Sequence, residues 1–165
     1  QRQMCIRDRG TPVDNLSNYD SSQERMLYVA PVGQLRSDRL LFVTKTSMCK
    51  LVEGAEFDVA KRTIASTKLA DEDELIFIGS ASEMEQIVLQ SHGGCFLRFL
   101  TQEVSTMKKT ALGVRGMKLA DDDYLEHAYL LAGHQEYTIS YHDKEYALNK
   151  VRLAKRDTKG IKPRI

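Results

Sequence analysis

Short apolar or alternating segments, separated by turn residues, follow one another along most of the chain. Runs of this kind, bounded by Gly, Asn, Asp and Ser, are typical of β-strands joined by hairpins. The segments that we predict as strands are residues 25–30, 39–44, 48–52, 74–79, 85–91, 95–100, 123–131, 136–142 and 145–150. Hairpin turns are predicted at 45–47, 92–94 and 142–144. The pattern therefore predicts an all-β chain with little helix.

The sequence contains an internal repeat. The segment KRT at 61–63 recurs 47 residues later as KKT at 108–110, and KLADEDEL at 68–75 recurs 50 residues later as KLADDDYL at 118–125. A third, shorter copy begins at Glu136. Periods of about 40–50 residues are typical of four-stranded blades in propeller-like arrays. We therefore predict a partial ring or arc of about three blades, with repeat units at about 22–84, 85–135 and 136–165.

Composition narrows the class of protein. The chain has 165 residues, of which 42% are apolar and 28% charged, as expected for a soluble globular domain. No apolar run approaches the roughly 18 residues that a membrane span needs, and no secretory signal pattern is present. Three cysteines without a C-x-x-C pair favour a reducing compartment and indicate neither a disulfide framework nor a zinc site.

The first nine residues differ from the rest. The chain starts at Gln1, and MCIRDR at 4–9 has no apolar periodicity and is typical of a translated sequencing adaptor. We interpret residues 1–9 as a non-native scar and exclude them from the fold. The remainder, 10–165, is expected to be a C-terminal fragment of a longer protein.

Charge is unevenly distributed although the net charge is only +1. Residues 69–97 contain six acids and no Lys or Arg, whereas residues 144–165 contain eight bases and two acids. The C-terminal segment therefore has a local charge of +6. A gathered set of bases is the electrostatic feature expected of a surface that binds a polyanion.

Glycines and bases are combined in GVRG at 113–116. Positive φ at Gly113 and Gly116 would allow an exposed turn that presents Arg115 and its own N–H groups to a phosphate, and Gly160 is the third predicted turn glycine. The bases at matching positions of the three units are the predicted DNA-binding residues. They are Lys61, Arg62, Lys68, Lys108, Lys109, Arg115, Lys118, Lys155, Arg156, Lys159 and Lys162. Cations repeated along one rim would neutralise successive phosphates without reading sequence.

The other candidate residues are predicted to have structural roles and not catalytic or metal-binding ones. The acids at 71–74 and 121–123 precede strands, so we expect them to form turns by side-chain to backbone hydrogen bonds. Histidines 92, 127, 134 and 142 lack zinc-ligand spacing, and Cys49 and Cys95 are interpreted as core residues. No Walker loop, G-x-S-x-G or acid/base pair is present, so we predict no catalytic residue and no metal ligand.

Several separate segments resemble a single family. GTPVDNLSNYD at 10–20, LLFVTKTSMCKLV at 40–52, TALGVRGMKLADDDYL at 110–125 and LNKVRLAKRDTKGIK at 148–162 carry the likeness in this order. They resemble the C-terminal domain of the A subunit of bacterial type II topoisomerases, the family that comprises the A subunits of DNA gyrase and topoisomerase IV. The likeness covers nearly all of residues 10–165.

The resemblance implies a β-pinwheel that wraps or grips duplex DNA on a basic rim, in the bacterial cytoplasm beside the nucleoid. In that family an N-terminal part with a catalytic tyrosine cleaves DNA as an A-subunit dimer, and a separate B subunit hydrolyses ATP. The fragment itself would need no cofactor, since ATP and Mg²⁺ serve other parts of the enzyme. The family's basic loop matches Lys108, Lys109, Arg115 and Lys118 best, and the first and third units match less completely.

Two alternatives belong to other classes. A propeller-like scaffold for protein interactions would have no nucleic-acid role, but WD and kelch signatures are lacking. Cleavage of DNA by the fragment alone would need a nucleophile, and none of the seven tyrosines lies in a cleavage-site context. The glutamine-arginine-arginine-glycine-glycine-lysine-glycine box of gyrase is also lacking, which favours topoisomerase IV or a gyrase-like relative.

Overall fold

The structure, a computed structural model, describes residues 13–15, 18–133 and 135–163. The predicted scar at 1–9 and His134 lie outside these ranges. The strands are β1 (Arg39–Thr44), β2 (Met48–Glu53), β3 (Leu75–Ser80), β4 (Gln86–Ser91), β5 (Phe96–Leu100), β6 (Val114–Arg115), β7 (Leu125–Leu131), β8 (Thr138–Tyr141) and β9 (Lys144–Ala147). In the described chain, helix is limited to α1 (Val32–Leu35) and to single 3₁₀ turns at Val13–Asn15, Gly54–Phe57, Thr101–Glu103 and Leu148–Lys150.

The strands form three antiparallel sheets. The first has the order β3-β1-β2-β6, the second β5-β4-β7, and the third is the hairpin β8-β9. The first two sheets are built alike, because β4 follows β1 by 47 residues and β7 follows β3 by 50. Their registers even slip at equivalent places, between Val43 and Thr44 and between Gln90 and Ser91. The repeat in the sequence is therefore a repeat in the backbone.

Turn residues with positive φ connect the hairpins. Ser47 (φ 71°) and Gly94 (φ 78°) end equivalent three-residue turns in the first two sheets. The third hairpin turns through His142 (φ 50°) and Asp143 (φ 60°) alone. Two consecutive left-handed residues make the type I′ turn that suits twisted strands. This turn is therefore one residue shorter than the predicted turn at 142–144.

Alternation along β1 divides the core into layers. Leu41 and Val43 are buried with Ile87 and Leu89 of β4, between the first and second sheets. Leu40 and Phe42 point to the opposite face, where Tyr28 and Phe57 cover them. A further cluster, centred on Val88 and Phe96, joins the second sheet to the third unit. Each buried aliphatic side chain stabilises the fold by about 1.5–3 kcal/mol.

One predicted strand is wrong. Residues 25–30 form no strand, although Tyr28 packs against the first sheet and the Arg25 guanidinium donates to the Ile76 carbonyl at 3.4 Å. Residues 25–30 thus contribute side chains that pack against the first sheet, but they do not pair with its edge strand β3. Among the described residues, no helix is long and apolar enough to cross a membrane.

Candidate nucleic-acid interface

The GVRG segment is a strand edge and not the exposed turn that we predicted. Val114 and Arg115 form β6, which pairs with β2 of the preceding unit. Gly113 has φ +104°, and a Cβ there would lie 2.7 Å from the Cys49 carbonyl oxygen. Gly116 is buried and has no positive φ, and its N–H donates to the Ser47 carbonyl at 2.7 Å. These glycines let the second unit lie directly against the first.

The third unit joins the second in the same way. Phe96 and Ile161 exchange two backbone hydrogen bonds of 2.8 Å each, 47 residues after the pairing of Cys49 with Val114. Gly160 allows this approach, since a Cβ there would lie 2.9 Å from the Phe96 carbonyl oxygen. It has no positive φ, so its role too is close approach and not a turn. The first and second sheets thus each receive an edge segment from the next unit.

Two glutamates that were not predicted from the sequence anchor the basic pairs. Glu56 accepts the Lys109 N–H at 3.1 Å, and Glu103 accepts the Arg156 N–H at 3.0 Å. Both acids lie in the 3₁₀ turns that follow the second strand of each sheet, 47 residues apart. The Lys109 N–H, followed by the Lys108 ammonium, lowers the pKa of Glu56 despite some desolvation. Extending the repeat alignment to Glu56 and Glu103 would have revealed these anchors.

Several predicted DNA-binding cations are already engaged. The Lys108 ammonium lies 3.3 Å from Glu56. Half-buried Arg156 donates to the carbonyl oxygens of Glu103 at 3.1 Å and Arg115 at 2.6 Å. The Arg115 guanidinium forms two hydrogen bonds with Asp157. Lys109, which is also half-buried, receives the Lys68 N–H at its carbonyl oxygen. The side chains of Lys108, Arg115 and Arg156 and the backbone of Lys109 therefore serve the junctions between units.

One buried and one half-buried cation in the sheets were not predicted either. Lys50 of β2 is 2% exposed, and its ammonium donates to the carbonyl oxygens of Lys109 and Ala111 at 2.6 Å each. Burial lowers the pKa of Lys50. Arg98 of β5 donates to the carbonyl oxygens of Asn149 and Val151. Both cations satisfy loop carbonyls of the following unit, a role that no local sequence signal indicates.

The expectation for the acidic runs is confirmed at their last aspartates. Asp73 accepts the Thr46 N–H at 3.0 Å and the Thr46 hydroxyl at 2.6 Å, which closes the turn between β1 and β2. Asp123 accepts the Gly93 N–H at 2.8 Å in the equivalent turn. Desolvation opposes ionisation of both carboxyls, but these hydrogen bonds outweigh it and lower the pKa of each.

The remaining predicted cations face solvent. Seven have exposed side chains that form no hydrogen bond or ion pair within the described chain: Lys61, Arg62, Lys68, Lys118, Lys155, Lys159 and Lys162. Lys118 and Lys159 line one cavity of about 400 Å³, together with Asp121, Asp123 and Cys95. Lys162 lines a neighbouring cavity of about 380 Å³ beside the 92–94 turn. Cations of the second and third units thus line a common cavity, whereas in the described chain no hydrogen bond or ion pair joins Lys61 or Arg62 to them.

Cysteine and metal chemistry have little support at this surface. Cys49 is fully buried, and burial raises the pKa of its thiol to about 12. A thiol in this state packs in the core and is not a nucleophile at neutral pH. In the described ranges no three His, Cys, Asp or Glu side chains are grouped so that they could hold a metal ion.

Two features define the class of protein. Similar sheets recur at 47 residues, and each takes an edge segment from the next unit. Exposed cations from consecutive units, Lys118 and Lys159, line one cavity. Together these features define a propeller-type β-repeat domain with unpaired cations on its surface.

Comparison with known proteins then gives the family. The family described as "DNA gyrase C-terminal domain, beta-propeller" matches residues 38–82 and 85–132. The A subunit of DNA gyrase from Salmonella typhimurium is 34% identical over 117 residues, covering 70% of this chain and 13% of the relative. The A subunit of DNA topoisomerase 4 from Streptococcus pneumoniae is 26% identical over 153 residues, covering 88% of this chain and 18% of the relative. The chain belongs to the DNA gyrase C-terminal domain family.

Solved structures give the same fold. The C-terminal domain of DNA topoisomerase IV superposes with a TM-score of 0.79 at 24% identity, covering 92% of this chain and 49% of that one. The DNA gyrase A C-terminal domain gives 0.72 at 22% identity, covering 93% and 52%. The predicted fold, an all-β partial pinwheel, is confirmed. The chain spans about half of each solved domain and under a fifth of the two curated relatives.

Proposed function

We propose that this chain is the DNA-binding part of the A subunit of a bacterial type II topoisomerase, and that it grips duplex DNA through phosphates on one basic surface. The observation that carries the proposal is the division among its cations. The side chains of Lys108, Arg115 and Arg156 at the junctions form ion pairs or hydrogen bonds. Lys118 and Lys159 instead face solvent in one cavity, and Lys162 does so in a cavity beside the 92–94 turn. Cations without an internal partner are the ones free to neutralise phosphates.

The surface suits a polyanion better than a small anion. Duplex DNA carries one charge per roughly 1.7 Å of its axis, so separate lysines can each meet a phosphate. Flexible ammonium groups act as point charges and do not fix the geometry of a base edge. Binding of this kind positions the duplex and carries no direct sequence information.

The whole enzyme enters the proposal through the relatives, which are named as A subunits of gyrase and of topoisomerase 4. The chain would support ATP-dependent supercoiling, relaxation or decatenation, with cleavage by an N-terminal tyrosine domain. ATP and Mg²⁺ would be used by other parts of the enzyme. The further partners would be a second copy of the A subunit and a B-subunit ATPase, in the bacterial cytoplasm beside the nucleoid. The fragment would not be catalytic alone.

A pair of matched double variants tests the proposed surface. Lys118→Gln with Lys159→Gln removes two free cations, whereas Arg36→Gln with Lys45→Gln removes two that form surface ion pairs. Both changes lower the net charge by two. We expect the first to reduce the slope of log affinity against log salt by about 1.8, and the second to change it little. The readout is fluorescence anisotropy with two duplexes of unrelated sequence, after thermal unfolding has shown that both variants fold.

Equal losses in the two variants would show that only net charge matters, and the surface assignment would be wrong. Strong preference for one duplex would instead indicate base readout, contrary to the proposal.

A further inference from the structure

The carboxylate of Asp157 lies among cations from two repeat units. Both of its oxygens accept hydrogen bonds from the Arg115 guanidinium, one from Nε and one at 3.1 Å from Nη2. Arg156, the preceding residue, donates to the Arg115 carbonyl oxygen at 2.6 Å. The Lys118 N–H donates to the carbonyl of Thr158, the following residue, at 3.0 Å. The Arg115 side chain therefore holds the Asp157 carboxylate, whereas Arg156 and the Lys118 backbone bind carbonyl groups next to this ion pair.

The backbone holds this carboxylate in place. Asp157 has φ +62°, a left-handed conformation that Asp and Asn tolerate better than most residues. Its N–H donates to the Gly116 carbonyl at 2.7 Å, directly after β6. The hydrogen bond from Arg115, with the charges of Arg156 and Lys118, lowers the pKa of Asp157, so the group is ionised at neutral pH. The anion is therefore a fixed part of the junction between the second and third units.

We propose that Asp157 is an internal stand-in for a DNA phosphate: it occupies the anion site of the Arg115 guanidinium, and a phosphodiester of bound duplex displaces it. The inference rests on the proposed function and adds a regulated contact to its surface. The guanidinium fork binds carboxylate and phosphate oxygens with the same two-point geometry, so one anion can replace the other.

The exchange is physically reasonable because the ion pair is exposed. The side chains of Arg115 and Asp157 are 52% and 39% exposed. Exposed pairs are weak and screened by salt. A duplex brings many phosphates and releases counterions when a cation neutralises one of them. Asp157 therefore lowers the affinity of the surface for duplex DNA, but it does not prevent DNA from binding.

A matched pair of variants tests the inference. Asp157→Asn keeps a residue that tolerates positive φ and removes the charge that holds Arg115. Asp143→Asn is the control, since Asp143 is also exposed, has φ 60° and forms no ion pair in the described chain. Both variants change the net charge by the same amount. We expect Asp157→Asn to raise affinity for a duplex about threefold to fivefold, and Asp143→Asn to change it less than about twofold.

Combining Asp157→Asn with Arg115→Gln shows whether Arg115 is the cation that the substitution releases. If Arg115 is the group that Asp157 withholds, the gain from Asp157→Asn disappears in the Arg115→Gln background. A gain that persists there would overturn the inference, because the released cation would not be Arg115. Equal effects of Asp157→Asn and Asp143→Asn would overturn it too.

A measurement on the unmodified chain covers the case in which Asp157→Asn does not fold. The ¹⁵Nε resonance of Arg115 should shift when saturating duplex replaces Asp157 as its partner. An unchanged resonance at saturation would overturn the inference and leave the proposed function standing. Lack of any salt-dependent binding by the unmodified chain would overturn both.

Discussion

Asp73 and Asp123 each close the hairpin turn of their own blade, and this local role gives a prediction. Replacing either by Ala removes an acceptor for turn N–H groups, so we expect a loss of about 1–2 kcal/mol in the free energy of unfolding. Asp71→Ala and Asp121→Ala are the controls, because these exposed acids of the same runs accept no hydrogen bond in the described chain. Urea unfolding at neutral pH gives the comparison.

The pKa shifts of the same two carboxyls determine whether stability rises or falls with pH. The pKa of Asp73 and Asp123 is lower in the folded chain than in the unfolded one. Their stabilisation is therefore complete above about pH 4 and is lost as the pH falls through the folded-state pKa. Asp73→Ala should thus destabilise less at about pH 2.5 than at about pH 7. If Asp73→Ala destabilised the chain more in acid than at neutral pH, this result would contradict the hydrogen bonds assigned to these two carboxylates.

At this scale the sequence predicted residue types better than their partners. The positions of the bases and the role of the acidic runs follow from spacing and turn chemistry. The partners do not, because Glu56 binds a residue 53 positions away and Asp157 one 42 positions away. Charge alone therefore could not separate free Lys118 from engaged Arg115 or Arg156.

At the scale of elements, β6 is the connection on which the first junction depends. Gly113→Ala would force a side chain into φ +104° and place its Cβ 2.7 Å from a backbone oxygen. We expect a loss of about 1–3 kcal/mol in the free energy of unfolding, with faster amide exchange along β2. Gly33→Ala is the control, since nothing lies within 4 Å of a Cβ there. That change should be neutral or slightly stabilising. Equal effects of the two substitutions would contradict the pairing of β6 with β2.

The strand boundaries show why the repeat was easier to predict than the junctions between its units. The alternating segments correctly predicted β1, β2, β3, β4 and β5 to within a residue. β6 has only two residues and pairs with a strand more than 60 positions earlier. Its glycines suggested a turn because a single sequence does not show that a neighbouring backbone approaches so closely.

In the whole molecule, the junctions between the sheets determine which cations remain without an internal partner. Buried and paired cations lie where one unit adds an edge segment to the sheet of the preceding unit. The set of cations without an internal partner is therefore smaller than the set predicted from the sequence. The repeat period and the resemblance predicted the fold, and the comparisons confirmed it. The location of the free cations required the junctions to be known.

The most direct test of the account is a titration of a short duplex of about 20 base pairs with this chain at salt concentrations from about 50 to 200 mM. If about three to five free cations each neutralise a phosphate, the plot of log affinity against log salt has a slope of about −2.7 to −4.5, the same for unrelated sequences. A flat plot, or no binding at the lowest salt, would contradict the central claim that this surface holds DNA by its phosphates.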